Sequence, residues 1–167
     1  GYRHRELDSR LIEERTETEQ KLLEEADRYG VNVPESKKID ESTLKMEKIE
    51  GNLLKQVIDE KLEVLEELGE NIAYLHSADI IHGDLTTSNV IVCEGEPYII
   101  DFGLASRSQR IEDRAVDIHL FKQVLESSHP EVSGEAWEKF LDGYTEYEKS
   151  EAVLVQLEEV ESRGRYK

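Results

Sequence analysis

An aspartate at position 84, an asparagine five positions later and a second aspartate at 101 sit where they could perform phosphoryl chemistry. The first two belong to His82-Gly83-Asp84-Leu85-Thr86-Thr87-Ser88-Asn89, and the third opens Asp101-Phe102-Gly103 after the apolar run Ile99-Ile100. Phosphoryl transfer asks a protein for positioning and charge stabilisation more than for covalent chemistry. One carboxylate must accept or orient the attacking hydroxyl, and oxygen donors must hold a hard divalent cation on the phosphates. Asp84 is the candidate catalytic base in this reading. Asn89 and Asp101 are the candidate ligands for Mg2+, and the nucleotide that would carry it is ATP. Each half alone suits an ordinary turn, because Asp and Asn are good turn formers. The order and spacing of the two halves point to one site. His82 is read as fixing the loop by hydrogen bonding and not as a proton carrier.

The elements that must position these residues follow from apolar spacing. Residues 6 to about 29 read as one amphipathic helix, closed by Gly30 and followed by Pro34. Leu7, Leu11, Ile12, Leu22, Leu23, Ala26 and Tyr29 share a broad face of it. Arg15 and Glu19 project into that arc; Arg15 can reach back to water, whereas the shorter Glu19 needs a partner. Two β-like runs, 37–39 and 43–49, lead to Glu50-Gly51. The segment Met46-Glu47-Lys48-Ile49-Glu50-Gly51 suits a link between two lobes. Its backbone at Glu47 and Ile49 would pair with adenine, with Met46 beside them and Ile91 and Ile100 as apolar surfaces beneath and beside the base. Leu62, Leu65, Leu68, Ile72 and Leu75 then mark the buried stripe of a helix ending at His76. Strands over 90–93 and 98–100 flank a turn at 94–96, and helices are expected over 112–127, 134–147 and 150–162. A helix, a polar loop and two short strands joined by a tight turn is the order of a kinase large lobe.

Composition limits the alternatives. A chain of 167 residues can bury one sizeable core. A net charge of −18 and a pI near 4.7 argue against gripping nucleic acid or an anionic membrane unaided. The single cysteine, Cys93, cannot form an internal disulfide and reads as a core residue of a strand, which fits a reducing cytoplasm. No apolar run approaches the ~20 residues needed to cross a bilayer.

With these motifs in place, the chain resembles the small atypical, RIO-related kinase of the KEOPS (EKC) complex. The resemblance rests on His-Gly-Asp-Leu-Thr-Thr-Ser-Asn, on Ile-Asp-Phe-Gly-Leu, on Glu112-Asp113 with Ala115-Val116-Asp117, and on the terminal Arg163-Gly164-Arg165. It implies an α+β, protein-kinase-like bilobal fold with a helical large lobe. Residues 1–49 would be part of the small lobe, 50–162 the large lobe and 163–167 a basic tail. It further implies that Asp84 is the catalytic Asp, that Asn89 and Asp101 bind Mg2+, and that Glu19 pairs with the nucleotide-gripping lysine. Asp117 would anchor the catalytic loop. The family supports formation of N-threonylcarbamoyladenosine in tRNA, seated against the complex's threonylcarbamoyltransferase subunit. Arg163 and Arg165 are then candidates for contact with tRNA or a partner.

Two departures shape the alternatives. A small lobe should place about 20–30 residues of hairpin and lysine-bearing strand before the first helix. Here Gly1-Tyr2-Arg3-His4-Arg5 precede it, so the lobe reads as truncated at its N-terminus, with no glycine-rich loop and no assigned ATP-binding lysine. That keeps open a non-catalytic scaffold that regulates its partner. The 64 residues after Gly103 are few for the acceptor domain of a small-molecule phosphotransferase, the other alternative.

Overall fold

The computed structural model describes the backbone of residues 2–165 and the side chains of residues 15–165. Leu7, Leu11 and Ile12, expected on the inner face of the first helix, lie outside the described side chains, as does Lys167. Helix α1 runs from Tyr2 to Arg28, and Gly30 closes it at φ +92°, a left-handed turn that favours glycine. Leu22, Leu23 and Ala26 of α1 are buried as their spacing requires. Tyr29 is not: it is 49% exposed, because the chain has already left the helix and turned by that residue. Arg15 is exposed, and Glu19 is half-buried.

A hairpin follows, β1 (Ser36–Asp40) against β2 (Thr43–Met46), antiparallel with an irregularity between Lys38 and Asp40. Asp40 accepts the Ser42 N–H at 2.9 Å, which tightens the turn. The second β-like run ends at Met46 rather than 49, and residues 47–50 form no strand. Strand β3 (Asn52–Leu53) leads into the short α2 (Leu54–Val57) and a 3-10 turn at Ile58–Glu60. After α3 (Val64–Ser77) and β4 (Ile80–Ile81) come β5 (Val90–Cys93) and β6 (Glu96–Ile99), an antiparallel hairpin whose β5 also pairs with β3. Cys93 ends β5 half-buried, not within the core, since the hairpin turns immediately beyond it. Strand β7 (Ser106–Arg107) pairs with β4, and helices α4 (Ile111–Ser128), α5 (Ser133–Tyr144) and α6 (Ser150–Gly164) complete the chain.

The helical body is held by one close crossing and one aromatic ladder. Where α3 crosses α5, a Cβ on Gly69 would overlap the Phe140 carbonyl, and a Cβ on Gly143 would overlap that of Glu66. The glycines therefore set how near the two axes come. Along α5, Trp137 stacks on Phe140 at 5.4 Å and Phe140 on Tyr144 at 6.0 Å, with Phe121 of α4 against Phe140 at 4.9 Å. Each such side chain fully removed from water contributes about 1.5–3 kcal/mol of hydrophobic stabilisation. That frame places the C-terminal end of α3, the N-terminal half of α4 and the β5–β6 hairpin beside the 82–89 loop and residues 101–103. No helix among the described residues is long and apolar enough to cross a membrane.

Candidate active site

The His82–Asn89 loop is fixed at its start by Asp117, which lies fully buried on α4. Its Oδ2 accepts the His82 N–H at 3.0 Å and its Oδ1 accepts the Gly83 N–H at 3.0 Å. His76, at the end of α3, places Nε2 2.9 Å from the same Oδ2 and Nδ1 2.8 Å from the Tyr144 hydroxyl. Burial pushes the Asp117 carboxyl upward, yet the hydrogen bond from His76, the electrostatic influence of the His76 and His82 rings and the Gly83 N–H outweigh it and hold the group ionised below the usual carboxylate range. Burial, with the neighbouring Tyr147 and Asp117, raises the Tyr144 phenol. It therefore stays a neutral partner for His76.

His82 fixes the next step of the loop, as its position suggests. Its Nδ1 accepts the Asp84 N–H at 3.2 Å, so Nε2 carries the proton donated to the Ile100 carbonyl at 2.9 Å. The ring meets Phe102 edge-on at 5.0 Å. One buried imidazole thus ties the loop to the Asp101-Phe102-Gly103 strand end. Gly83 takes φ +85°, and a Cβ there would meet the Leu104 carbonyl. A side chain at 83 would push these two segments apart.

The three residues singled out by spacing are brought together. Asn89 donates from Nδ2 to the Asp84 carbonyl at 2.8 Å and to Asp84 Oδ2 at 3.0 Å. The Ile100 N–H donates to the Asn89 carbonyl at 3.0 Å, which sets Asp101 beside it. Asp101 is exposed at φ +61°, outside the range a non-glycine residue normally adopts, and its Oδ1 accepts the Gly103 N–H at 3.2 Å. The unengaged donors are therefore hard oxygens, an amide oxygen on Asn89 and a carboxylate on Asp101, the type that suits a hard divalent cation. Among the described residues no cluster of three or more His, Cys, Asp and Glu is assembled as a self-sufficient metal cage. The arrangement fits a cation shared with a ligand's own oxygens.

Glu19 reaches the same place from α1. Its carboxyl is raised by burial and then by the charge of Asp101, and it forms no ion pair among the described residues. The residues expected around the base lie along the adjoining edge. Met46 is 43% exposed at the end of β2. The Glu47 N–H is held by the Glu35 carbonyl at 2.8 Å. Ile49, Ile91 and Ile100 are half-buried, with Ile91 paired across the hairpin to Tyr98. Arg163 and Arg165 are not brought to this cleft. Arg163 donates to Glu112 at 2.6 Å, beside the Arg110–Glu112 pair at 2.9 Å, and Arg165 is exposed.

Other supports of the site were not legible in the sequence. Arg114 is buried and bonds the His76, Ser108 and Arg110 carbonyls and Asp79, the last at 2.5 Å. Asn32 donates its N–H to Asn71 Oδ1 at 2.6 Å while its carbonyl takes the Ile99 N–H at 2.9 Å, so the segment after α1 is locked to α3 and β6. His129 bonds Thr87 inside the loop. Only His129 carried a signal, a histidine before a proline where a helix had to end.

Comparison with known proteins bears on the whole arrangement. A RIO domain family model matches residues 2–117. The chain is 46% identical over 166 residues to a probable bifunctional tRNA threonylcarbamoyladenosine biosynthesis protein of Methanospirillum hungatei, covering 99% of this chain and 31% of that protein. It is 42% identical over 176 residues to the KEOPS complex subunit Bud32 of Pyrococcus abyssi, covering 99% of this chain and 80% of that one. The chain thus spans about a third of the bifunctional relatives and most of the stand-alone one. Two solved structures share its fold at low identity. Amicoumacin kinase hAmiN, solved with AMP-PNP and Ca2+, has a TM-score of 0.57 at 15% identity, over 77% of this chain and 60% of that chain. WaaP, solved with acyl carrier protein, has a TM-score of 0.61 at 13% identity, over 86% of this chain and 73% of that chain. The fold is α+β and kinase-like, as the order of elements implied.

Proposed function

The chain belongs to the RIO-domain family, in the group of the KEOPS complex subunit Bud32, and from that premise we propose that it is an atypical serine/threonine kinase and ATPase acting within a KEOPS complex. The observation that carries the proposal is the convergence of Asp84, Asn89 and Asp101 through the Asn89–Asp84 and Ile100–Asn89 hydrogen bonds. Asn89 occupies Asp84 Oδ2 and leaves Oδ1 to accept a proton from an attacking hydroxyl or water. Asn89 and Asp101 would hold Mg2+, which when bound neutralises charge on the nucleotide phosphates. Asp117 and His82 keep the base in place without touching the reactants.

Adenine would lie along 46–49, taking the Glu47 carbonyl and the Ile49 N–H, with Met46, Ile91 and Ile100 as its apolar contacts. Glu19 would pair with the nucleotide-gripping lysine of the family, which would also offset its like-charged neighbour Asp101. On the acceptor side a cavity of about 400 Å³ opens next to Gly83, with Ile81, Asp113 and Val116 in its wall, giving room for a hydroxyl-bearing side chain. In this reading residues 1–49 belong to the small lobe, 50–162 form the large lobe and 163–167 are a tail. Arg163 and Arg165 contact tRNA or the threonylcarbamoyltransferase subunit of the complex. The place of action is the cytoplasm, and the product to which turnover contributes is N-threonylcarbamoyladenosine in tRNA.

The test is ATP hydrolysis by the purified full-length protein, alone and with the transferase subunit and tRNA, in parallel with Asp84→Asn and Asp101→Ala. Both variants should lose Mg2+-dependent turnover while melting near the unaltered temperature. Turnover that survives Asp101→Ala sinks the assigned mechanism.

A further inference from the structure

Between Asp84 and Asn89 the loop turns at Thr87, whose side chain is buried with 2% exposure. Its Oγ1 lies 2.9 Å from Nε2 of His129, itself 9% exposed, on the residue that follows α4. The backbone at His129 is fixed on both sides, its N–H donating to the Leu125 carbonyl at 2.9 Å and its carbonyl accepting the Val132 N–H at 3.2 Å. The rest of the turn is local or backbone-made. The Asn89 N–H donates to Thr86 O at 3.1 Å, the Ser88 N–H to Thr86 Oγ1 at 3.2 Å, and the Lys55 N–H to Thr87 O at 2.9 Å. Among the described residues, Thr87–His129 is thus the side-chain contact that ties the middle of the loop to the helical body.

Helix α4 therefore grips the loop at two points. Asp117 holds residues 82 and 83, and His129, 12 positions further on and so about 18 Å along the helix axis, holds residue 87. Asn89 comes two residues after that second grip. Its Nδ2 is committed to Asp84, so the place of its remaining amide oxygen depends on where the turn is held. We propose that His129, acting through the Thr87 hydroxyl, is a positioning residue that sets the Asn89 amide oxygen for the cation. This rests on the function proposed above. His129 touches neither nucleotide nor metal; it orients a residue that does, as partners of metal ligands commonly do.

The experiment is Mn2+ titration of the full-length protein with AMP-PNP present, read by electron paramagnetic resonance, with AMP-PNP affinity measured separately without metal. Thr87→Val keeps the shape and deletes the hydroxyl, Thr87→Ser restores it, and His129→Phe removes the partner. Thr87→Val and His129→Phe should each weaken Mn2+ by about tenfold, and the double variant by no more than either single. Thr87→Ser should stay within roughly twofold, and metal-free nucleotide affinity should not move. Asp101→Ala separates this inference from its premise. If Asp101→Ala loses Mn2+ while Thr87→Val and His129→Phe bind normally, the inference falls and the functional reading stands. A weakening that Thr87→Ser fails to restore assigns the effect to packing and also overturns it. If the unaltered protein binds no Mn2+ with the nucleotide, the functional reading fails and takes this inference with it.

Discussion

Asp117→Asn asks whether the loop is held by a charge or only by a group of the right shape. The carboxylate accepts three hydrogen bonds in full burial, from His76 and His82 on Oδ2 and from Gly83 on Oδ1. An asparagine keeps the volume but turns one oxygen into an NH2 donor. The milder orientation sets that NH2 against the Gly83 N–H and leaves one oxygen for His76 and His82. A hydrogen bond to a charged group contributes about 1.5–3 kcal/mol, and a buried donor without a partner costs about 1–3 kcal/mol, so the gross loss is on the order of 4 kcal/mol. Removing the charge also removes a desolvation penalty, which in a relaxed protein interior is several kcal/mol per ion and offsets part of that loss. The expected net destabilisation is about 2 kcal/mol, small enough against a typical total of roughly 5–15 kcal/mol to leave the protein folded.

Urea unfolding followed by Trp137 fluorescence measures this directly, since the single tryptophan stacks on Phe140 at 5.4 Å within the same helical body. The slope should hold and the midpoint fall. The pH dependence carries a sign. The folded Asp117 carboxyl lies below its unfolded value of about 3.9, so its stabilisation is complete above that value and is lost as pH falls through the folded one. The gap between unaltered protein and variant should therefore stay constant from about pH 5 to 8 and narrow only below about pH 4. Equal midpoints at neutral pH would refute the reasoning. So would a gap that already narrows between pH 7 and 5, because the Asp117 carboxylate keeps its charge throughout that range.

Two further substitutions test other parts of the frame. Gly143→Ala places a methyl on the Glu66 carbonyl, an obstacle that no side-chain rotation can relieve. A loss of about 3 kcal/mol corresponds to roughly 6–12 °C in calorimetric Tm for a chain of this size, and a shift under about 2 °C would contradict the close α3–α5 crossing. Glu19→Gln probes the cleft. The folded Glu19 carboxyl is raised, by burial first and Asp101 second, so stability present below the unfolded value of about 4.3 is lost as pH rises through the folded value. The variant should melt higher than the unaltered protein at pH 8 and equally at about pH 4, and the same shift at both pH values would remove Asp101 and burial as the cause.

Local pattern carried much of this molecule. Of the expected apolar stripe, Leu65, Leu68, Ile72 and Leu75 became the buried face of α3, whereas Leu62 precedes that helix and is half-buried; Asp84, Asn89 and Asp101 proved to be neighbours because one tight loop and one hairpin connect them. Helix limits shifted by only a few residues. What stayed hidden was long-range pairing. Thr87 and His129 are 42 positions apart, Asn32 and Asn71 are 39, and Arg114 and Asp79 are 35. A buried hydrogen bond of that kind is set by where two elements come to rest, and neither partner's own surroundings in the chain announce it. Tyr29 failed for the opposite reason: helical spacing was extended one residue past Arg28, where α1 ends and the turn closed by Gly30 begins.

The acidic side chains divide by what they are given. Asp117 is fully buried and receives three donors from two histidines and a glycine, so its charge is already compensated within the fold. Glu19 and Asp101 stand close enough to raise the Glu19 carboxyl, and no ion pair among the described residues relieves them. Leaving two carboxylates together without a counter-charge is unfavourable for the isolated fold, and Asp101 adds a left-handed backbone to that cost. Such a cost persists where the surrounding structure enforces it, and here the residues on either side of Asp101 are held, Ile100 by His82 and Asn89 and Phe102 by the His82 ring. The satisfied acid is therefore the anchor. In the proposed function, the uncompensated pair is where positive charge, from a lysine or from a metal held on a nucleotide, would complete the site.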